Sequence, residues 1–535
     1  MILALDAGTT AVKAVLLLPA PNGWQVVARA AASVAAPTVG GALPHNAVEQ
    51  DPEAWFDAAI SAAREVVAAV GSDATRLVAV ALSGLMQSVI LCDAACRALR
   101  PALLYSDARA TAEASAVEEV VGRASLLAET ANFKGAASVL PKLLWLHKHE
   151  PDTLDVAKHV LLGAHDYLFA RLSGGSCPVT DFTNASTTGL LQAHSPQWHT
   201  GLLSTMAISS VASKLPRLAS GAQALAPLSA ASVALLGLPE SCVGAGIQVC
   251  HGAGDLGTTT IGALAPLGGR GAYCYLGTSG WAACASRGEV LDAPRAFGVR
   301  HPEAGASIAA APMTTAGAHF AWLCQLLFPS LPEADAFAQL DAEAGNAAVD
   351  AGGVLFLPYL GGERCPFEDP NARACWIGMH ASTQRVDLCQ AVILGVCFAL
   401  KSLLMLLPAS GGGIGGRAGG GDETGGGIPS GGGMGGNGAL VIVGGAARSK
   451  ALRQTLADVL QREILVPDHP QDVGALGAAT LAAKALGIGV GEHGGMHGER
   501  SVPRAERSGA LATMFEAFVA AHPALDGTFA CLARV

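Results

Sequence analysis

One short pattern occurs near the start of each half of this chain. LDAGTT, residues 5–10, ends an apolar run of strand type, turns through glycine and two hydroxyls, and hands over to a second apolar run. YLGTSG, residues 275–280, does the same. Such a turn, repeated between two strands, predicts two domains of similar topology rather than one continuous core. A chain of 535 residues is also too long for one core and suits two large domains. From Met1 to about Ala263 apolar strands alternate with amphipathic helices, WFDAAISAAREVVAAV (55–70) being one helix. LVAVALSGLMQSVILCD (77–93) reads as two strands around a turn at Gly84. A second strand-turn-strand at 271–286 restarts the alternation, which continues to about Leu486.

The expected fold class is therefore α/β, with one domain over 1–263 and a second over 270–486. The segment 410–438 is mostly glycine and cannot bury a core, so it reads as a flexible surface insertion in the second domain. Residues 487–535 read as a weakly ordered linker followed by a C-terminal helix around MFEAFVAAH.

The net charge of −10, without a run of Lys or Arg, argues against nucleic acid or an anionic membrane as partner. DLCQAVILGVCFALKSLLMLLP (387–408) approaches the length of a membrane span, but Gln390 and Lys401 fall inside it and a buried helix is expected. Thirteen cysteines without a CxxC pair fit a reducing compartment better than a disulfide framework. The close pairs His147/His149 and His493/His497 lack a matching Cys or acid cluster, so a surface or linker role is expected over a metal site. The first residues already read as a core strand from Ile2. A cytoplasmic location is expected, with organelle import after removal of a transit peptide left open.

The first turn has the chemistry of a phosphate site. Gly8 allows close backbone approach, Thr9 and Thr10 offer hydroxyl donors, Lys13 lies on the following strand, and Asp6 is placed to hold a hydrated Mg²⁺. An ordinary Gly-Thr hairpin would look the same. Rival phosphate loops fail on the residues: no Gly-Lys dipeptide exists for a Walker loop, and GAGDLG (252–257) is followed by no acid before Glu289. Asp255, among Gly252, Ala253, Gly254 and Gly257, has room for a ligand beside it and is a candidate base for a hydroxyl.

The ordered set of motifs resembles the FGGY family of carbohydrate kinases, most closely its xylulokinase-like branch, from residue 1 to about 485. LDAGTTAVKAVLL is similar to the family's first phosphate motif, VEQDPEAW (48–55) to its E-Q-D-P-x-x-W segment, and LYSDARA (104–110) to its aromatic-x-D-x-R. TDFTNASTTGL (180–190) resembles T-D-x-[ST]-N-A-S, HGAGDLGTTTIGA the catalytic loop, and YLGTSG the second phosphate turn. FLPYLGGERCPFEDPNARACWIGM (356–379) resembles P-Y-L-x-G-E-R, and VGGAARSKALRQTLADVL (443–460) the adenosine motif. The chain departs from the usual pattern at Ala137, Val139, Leu394, Ala446 and Asp472. Met86-Gln87 stands for Met-His, and Leu256 rather than Asn follows Asp255. These last changes bear on substrate identity more than on catalysis.

The resemblance implies the two-domain actin/hexokinase/Hsp70-type (ribonuclease H-like) fold, with the two turns clamping ATP across a cleft. It implies Thr9, Thr10, Lys13, Thr278 and Gly317 along the phosphates and Gly445 and Ser449 near the adenosine. It further implies Asp6 on Mg²⁺, Asp255 as base, and a sugar pocket of Met86, Gln87, Tyr105, Asp107 and Asp255. Glycerol kinases carry Arg-Glu where this chain has Met86-Gln87, so the implied substrate is a ketopentose such as D-xylulose, with gluconate or ribulose as alternatives. Arg109 is the nearby cation that a gluconate carboxylate would use. An actin-like protein that binds ATP without transfer is the reading from another class, and a homodimer is left open.

Overall fold

The computed structural model describes the chain except residues 42, 45, 176–177, 224, 289–295, 409–437, 492–497 and 534–535. Its first half is built on a six-stranded sheet. The strands are β1 (Ile2–Ala7), β2 (Ala11–Ala20), β3 (Gly23–Ser33), β4 (Ala79–Gly84), β5 (Leu225–Pro227) and β6 (Gln248–Gly254), in the order β3-β2-β1-β4-β6-β5. The β1-β2-β3 meander is antiparallel, β1, β4 and β6 run parallel, and β5 returns antiparallel at the edge.

The second half repeats this order. Strands β7 (Gly271–Leu276), β8 (Gly280–Arg287), β9 (Phe297–Arg300), β10 (Ala306–Met313), β11 (Leu440–Val443), β12 (Ile464–Val466) and β13 (Glu499–Ser501) lie in the order β9-β10-β8-β7-β11-β12-β13. Again a hairpin meander is antiparallel, three strands (β7, β11, β12) run parallel, and the far edge is antiparallel. Only β9 has no counterpart among the described strands of the first sheet.

Strand β1 is apolar throughout until Asp6 because both its faces are covered. Leu3 and Leu5 point to one core, with Trp55 of helix α1 (Pro52–Val70) and Tyr167 of α2 (Ala164–Leu172). Ile2 and Ala4 point to another. That second core is closed by α8 (Val473–Ala485), which belongs to the second half in sequence yet packs Ala475, Ala478, Ala479, Ala482 and Ala483 under the first sheet. Small side chains let the helix sit close, and two glycines make the contact with α4 (Asp255–Leu264) possible. A Cβ on Gly262 would lie 2.1 Å from the Val473 carbonyl oxygen, and one on Gly477 would lie 1.9 Å from that of Thr258. The halves therefore interlock through α4 and α8 beneath the cleft.

In the second half, α6 (Arg385–Met405) is long and apolar enough to cross a membrane, but 83% of its apolar window is buried inside the protein. Gln390 Nε2 donates to Thr455 Oγ1 and Lys401 Nζ to the Val459 carbonyl, both on α7 (Lys450–Leu460). Leu394, in place of the family's acid, is apolar because its position lies inside this core.

Two expectations change. After Gly84 the second predicted strand, Ile90–Cys92, leaves the sheet and pairs with His159–Leu161. Composition marks 487–507 as weak, yet β13 pairs with β12, because a strand pairs through its backbone whatever its side chains. Helix α9 (Ser508–Leu532) then buries Leu511, Phe518 and Phe529 in the core of the second half. The glycine-rich stretch 410–438, apart from Gly438, and the pair His493/His497 lie outside the described residues. His147 and His149 are exposed on the helix Val139–His149, where His149 stacks on Trp145.

Candidate active site

The carboxyl ends of β1, β4 and β6 lie side by side, the place where parallel sheets collect ligands. The register pairs Asp6 with Ser83 and Ala7 with Gly84, and Gly84 in turn with Gly254. Asp255, directly after β6, opens α4. Its neighbours are glycines for steric reasons rather than to cradle a dinucleotide: a Cβ on Gly252 would lie 1.8 Å from the Leu82 carbonyl oxygen, and one on Gly254 would run into Met86.

Burial, and then the charge of Asp6, push the Asp255 carboxyl up to about 7 from its ordinary 3.8, although the Leu256 N–H donates to its Oδ1 at 2.8 Å. A carboxylate titrating near neutrality at the edge of a cleft is poised to accept a proton. Asp6 is held differently. Ser83 Oγ donates to its Oδ1 at 2.8 Å and lies 2.8 Å from Thr258 Oγ1, while the first turn of α8 rises so close that a Cβ on Gly474 would sit 2.9 Å from Asp6 Oδ2.

The first turn closes through the Gly8 N–H on the Ala11 carbonyl and leaves Thr10 exposed and Thr9 half-buried at its tip. Lys13, the cross-strand partner of Asp6, reaches over to the second half, where Nζ donates to the Gln471 carbonyl at 2.9 Å. The turn is braced by a residue whose role is not visible in the sequence. Gln50 Nε2 donates to the carbonyls of Thr9 (2.8 Å) and Ala35 (2.6 Å), and its Oε1 accepts from Trp55 Nε1. The rest of VEQDPEAW is equally structural: Asp51 caps α1, Pro52 opens it, and Glu49 pairs with Arg100 and Arg109.

The second turn is held by backbone. Thr278, exposed at its tip, accepts at its carbonyl from the Ala316 N–H, and the Gly277 carbonyl accepts from the Gly317 N–H. A Cβ on Gly317, which precedes α5 (Ala318–Leu327), would lie 2.5 Å from that Gly277 oxygen, so the glycine is needed for contact. The loop before Gly317 is fixed in turn by buried Glu363 of PYLGGER, whose Oε1 accepts from the Thr314 N–H at 2.7 Å. Gly445 faces open space. Ser449 spends its hydroxyl on Asp341 and on capping α7 at the Leu452 N–H.

Of the expected sugar-pocket residues, Met86 packs against Gly254, and Gln87 follows it with φ +58°, its amide reaching toward the Ala137 carbonyl. Tyr105 is half-buried. Asp107 differs from expectation. Its carboxylate is fully buried and accepts from Arg109 Nε and Nη2 and from the Val48 N–H, so it holds the loop that presents Tyr105 rather than offering itself to a ligand. Tyr275, which precedes the second turn, is a residue the sequence reading passed over as part of an apolar strand. Burial and then the charges of Asp6 and Asp255 raise its hydroxyl above the ordinary value.

Comparison with known proteins identifies the family and the fold. Residues 1–262 match the FGGY family of carbohydrate kinases, N-terminal domain, and residues 272–486 its C-terminal domain. The chain is 30% identical to the xylulose kinase of Klebsiella pneumoniae over 495 residues (91% of this chain, 90% of the relative) and 29% identical to that of Escherichia coli over 494 (90% and 89%). Its structure superposes on the crystal structure of xylulose kinase from Rhodospirillum rubrum with a TM-score of 0.77 at 27% identity, covering 98% of this chain and 99% of that one. Two like-ordered domains, each with a glycine turn between antiparallel strands, and a neutral-range carboxyl at the edge of the cleft between them are thus accounted for: the chain belongs to the FGGY family of carbohydrate kinases and transfers a phosphoryl group from ATP to a sugar hydroxyl.

Proposed function

We propose that the sugar is a neutral ketopentose, D-xylulose first, and that Asp255 is the base. As the sugar oxygen attacks the γ-phosphorus of ATP, its proton passes to Asp255, the bond from phosphorus to the bridging oxygen breaks, and ADP leaves. The observation that carries this reading is the elevated Asp255 carboxyl beside Asp6 at three parallel strand ends. Thr9, Thr10, Lys13, Thr278 and Gly317 are assigned to the phosphates, Gly445 and the backbone at Ser449 to the adenosine. In-line transfer asks chiefly for such positioning and for charge stabilisation.

The donor set suits a divalent cation. Asp6 is a partly exposed carboxylate whose Oδ1 is already oriented by Ser83, and a second carboxylate stands close enough to feel its charge. Asp6 would hold hydrated Mg²⁺, which supplies neutralisation of the phosphate charge.

The named relatives support xylulose, and one feature of this chain disfavours gluconate. Arg109, the cation a gluconate carboxylate would need, is committed to Asp107 and Glu49 (both 2.7 Å), with its side chain 1% exposed. Met86 and Gln87 add no charge, and Gln87 offers donors and an acceptor suited to hydroxyls. A cytoplasmic setting is part of the reading, since thirteen cysteines without a CxxC pair suit a reducing compartment. The test is a panel of sugars with ATP, read by ADP release. D-xylulose is expected to show the highest kcat/KM, and gluconate as the best substrate would overturn the ketopentose reading.

A further inference from the structure

The segment TDFTNAS is a family motif to which the site described so far gives no part. It forms a short helix, α3 (Phe182–Ser186), whose N-cap is Asp181. From this helix and its cap, buried side chains run in three directions.

The first leads to the base. Asp181 Oδ1 accepts from the N–H groups of Thr183 and Asn184, while Oδ2 accepts from His165 Nε2 at 2.8 Å and from the Gly254 N–H at 3.1 Å. Gly254 is the residue before Asp255. Behind it, Asp166 Oδ1 lies 2.9 Å from His251 Nε2 and Oδ2 accepts from the Leu162 N–H, so the polar cluster is held in turn by the backbone of its neighbours.

The second leads to the sugar contact. Asn184 Oδ1 accepts from the Gln87 N–H at 3.0 Å, and its Nδ2 donates to Thr180 Oγ1 at 3.1 Å. Gln87 has a left-handed backbone that residues with a Cβ adopt rarely, so a partner for its N–H is what keeps that turn in place.

The third crosses to the other domain. Thr183 Oγ1 donates to the Arg300 carbonyl at 2.8 Å, and Ser186 Oγ accepts from the Arg300 N–H at 3.1 Å. Asn132 Nδ2 joins the carbonyls of Ser186 and Gly298. Gly298 and Arg300 belong to β9, the strand without a counterpart in the first sheet.

We propose that Asp181 and Asn184 are positioning residues that set the base and the sugar-binding turn from one short helix, and that Thr183 ties this helix to the ATP-holding domain. Both carboxylate and amide are fully buried, so water does not replace a lost partner and the bonded backbone group is left unpaired. The proposal rests on the reading of Asp255 as base and Gln87 as sugar contact.

The test compares Asn184→Ala, Asp181→Asn and Thr183→Val in the full chain with Gln87→Ala and Asp255→Asn as references. Asn184→Ala should raise KM for the sugar about tenfold and leave KM for ATP within about twofold. Asp181→Asn can still cap α3 but turns a donor toward the Gly254 N–H. It should lower kcat about ten- to a hundredfold, keep sugar KM within about threefold, and shift the acid limb of the pH profile. Thr183→Val, which removes one hydroxyl at constant volume, should weaken the effect of a non-hydrolysable ATP analogue on sugar affinity about threefold. Proportional loss of folded protein and turnover, with every KM and the pH profile unchanged, would show a structural role and overturn the proposal. Losses in the two reference variants with none in Asn184→Ala or Asp181→Asn would overturn the positioning role alone. No loss in the references would overturn the site reading and the proposal with it.

Discussion

The two halves of this protein present the same strand order and opposite chemistry at the same place. The residue two before the turn glycine is Asp6 in the first half and Tyr275 in the second. Each has a cross-strand partner, and the pairs contrast: Asp6 faces Lys13, whereas Tyr275 stacks on Trp281 with ring centroids 4.1 Å apart and 15° between planes. Lys13 reaches across to the Gln471 carbonyl, and the Tyr275 hydroxyl is raised by burial and then by the charges of Asp6 and Asp255. A repeated scaffold supplies two glycine turns, and the residues at its strand ends then differ in chemistry. Ionisable groups gather at the turn of the first half, while the turn of the second half keeps backbone hydrogen bonds and aromatic packing.

The sharpest way to break this division is to compare one residue from each side. Asp255→Asn keeps shape but accepts no proton, so kcat should fall about two to four orders of magnitude while sugar binding, read by calorimetry, persists. Tyr275→Phe should cost at most about tenfold, because it loses one hydroxyl and keeps the stack on Trp281. Equal losses in the two variants would mean that catalysis is shared between the halves.

The pH dependence sharpens the same contrast through Asp255 alone. As a base it must be ionised, so log kcat/KM should fall with unit slope below about pH 7. Stability runs in the opposite sense. A carboxyl raised in the folded state binds its proton more tightly there, so its contribution is full below about pH 4 and is lost as pH rises to about 7. The melting temperature of Asp255→Asn relative to the parent should therefore climb across that window and level off above it. An activity profile flat down to pH 5 would exclude Asp255 as the titrating base.

The smallest effects concern how each turn is held. Gln50→Ala leaves the carbonyls of Thr9 and Ala35 and the Trp55 N–H without their partner, for about 1–3 kcal/mol of stability and about a threefold rise in KM for ATP. Glu363→Gln keeps an oxygen for the Thr314 N–H, and Glu363 itself is pushed up to about 7 by burial, so turnover should stay within about twofold. If the Glu363 variant proves the weaker of the two, the second turn depends on its side-chain brace more than the first.

The fold class and the placing of Asp255 at a strand end were legible because their signals are local. Strand, glycine turn and strand specify a hairpin wherever they occur, and Asp255 among small residues announces space beside a carboxyl. Gln50, Ser83 and Tyr275 were not legible in that way. Gln50 lies in a quoted motif, but its partner Thr9 is far away in sequence, and only the fold shows which carbonyl it meets. Asp107 misled for the same reason: an exposed acid and a buried one are spelled alike, and its burial follows from Arg109 and Val48 closing over it.

By itself the sequence determined that there are two like halves, where each glycine turn falls, and which acids stand at the strand ends, since all of these depend on residues within a few positions of one another. The tertiary structure decided that α8 packs beneath the other domain's sheet, that its Gly474 abuts Asp6, and that Asp255 titrates near neutrality. Those outcomes depend on burial and on charges brought together from distant segments, and neither exists until the chain has folded.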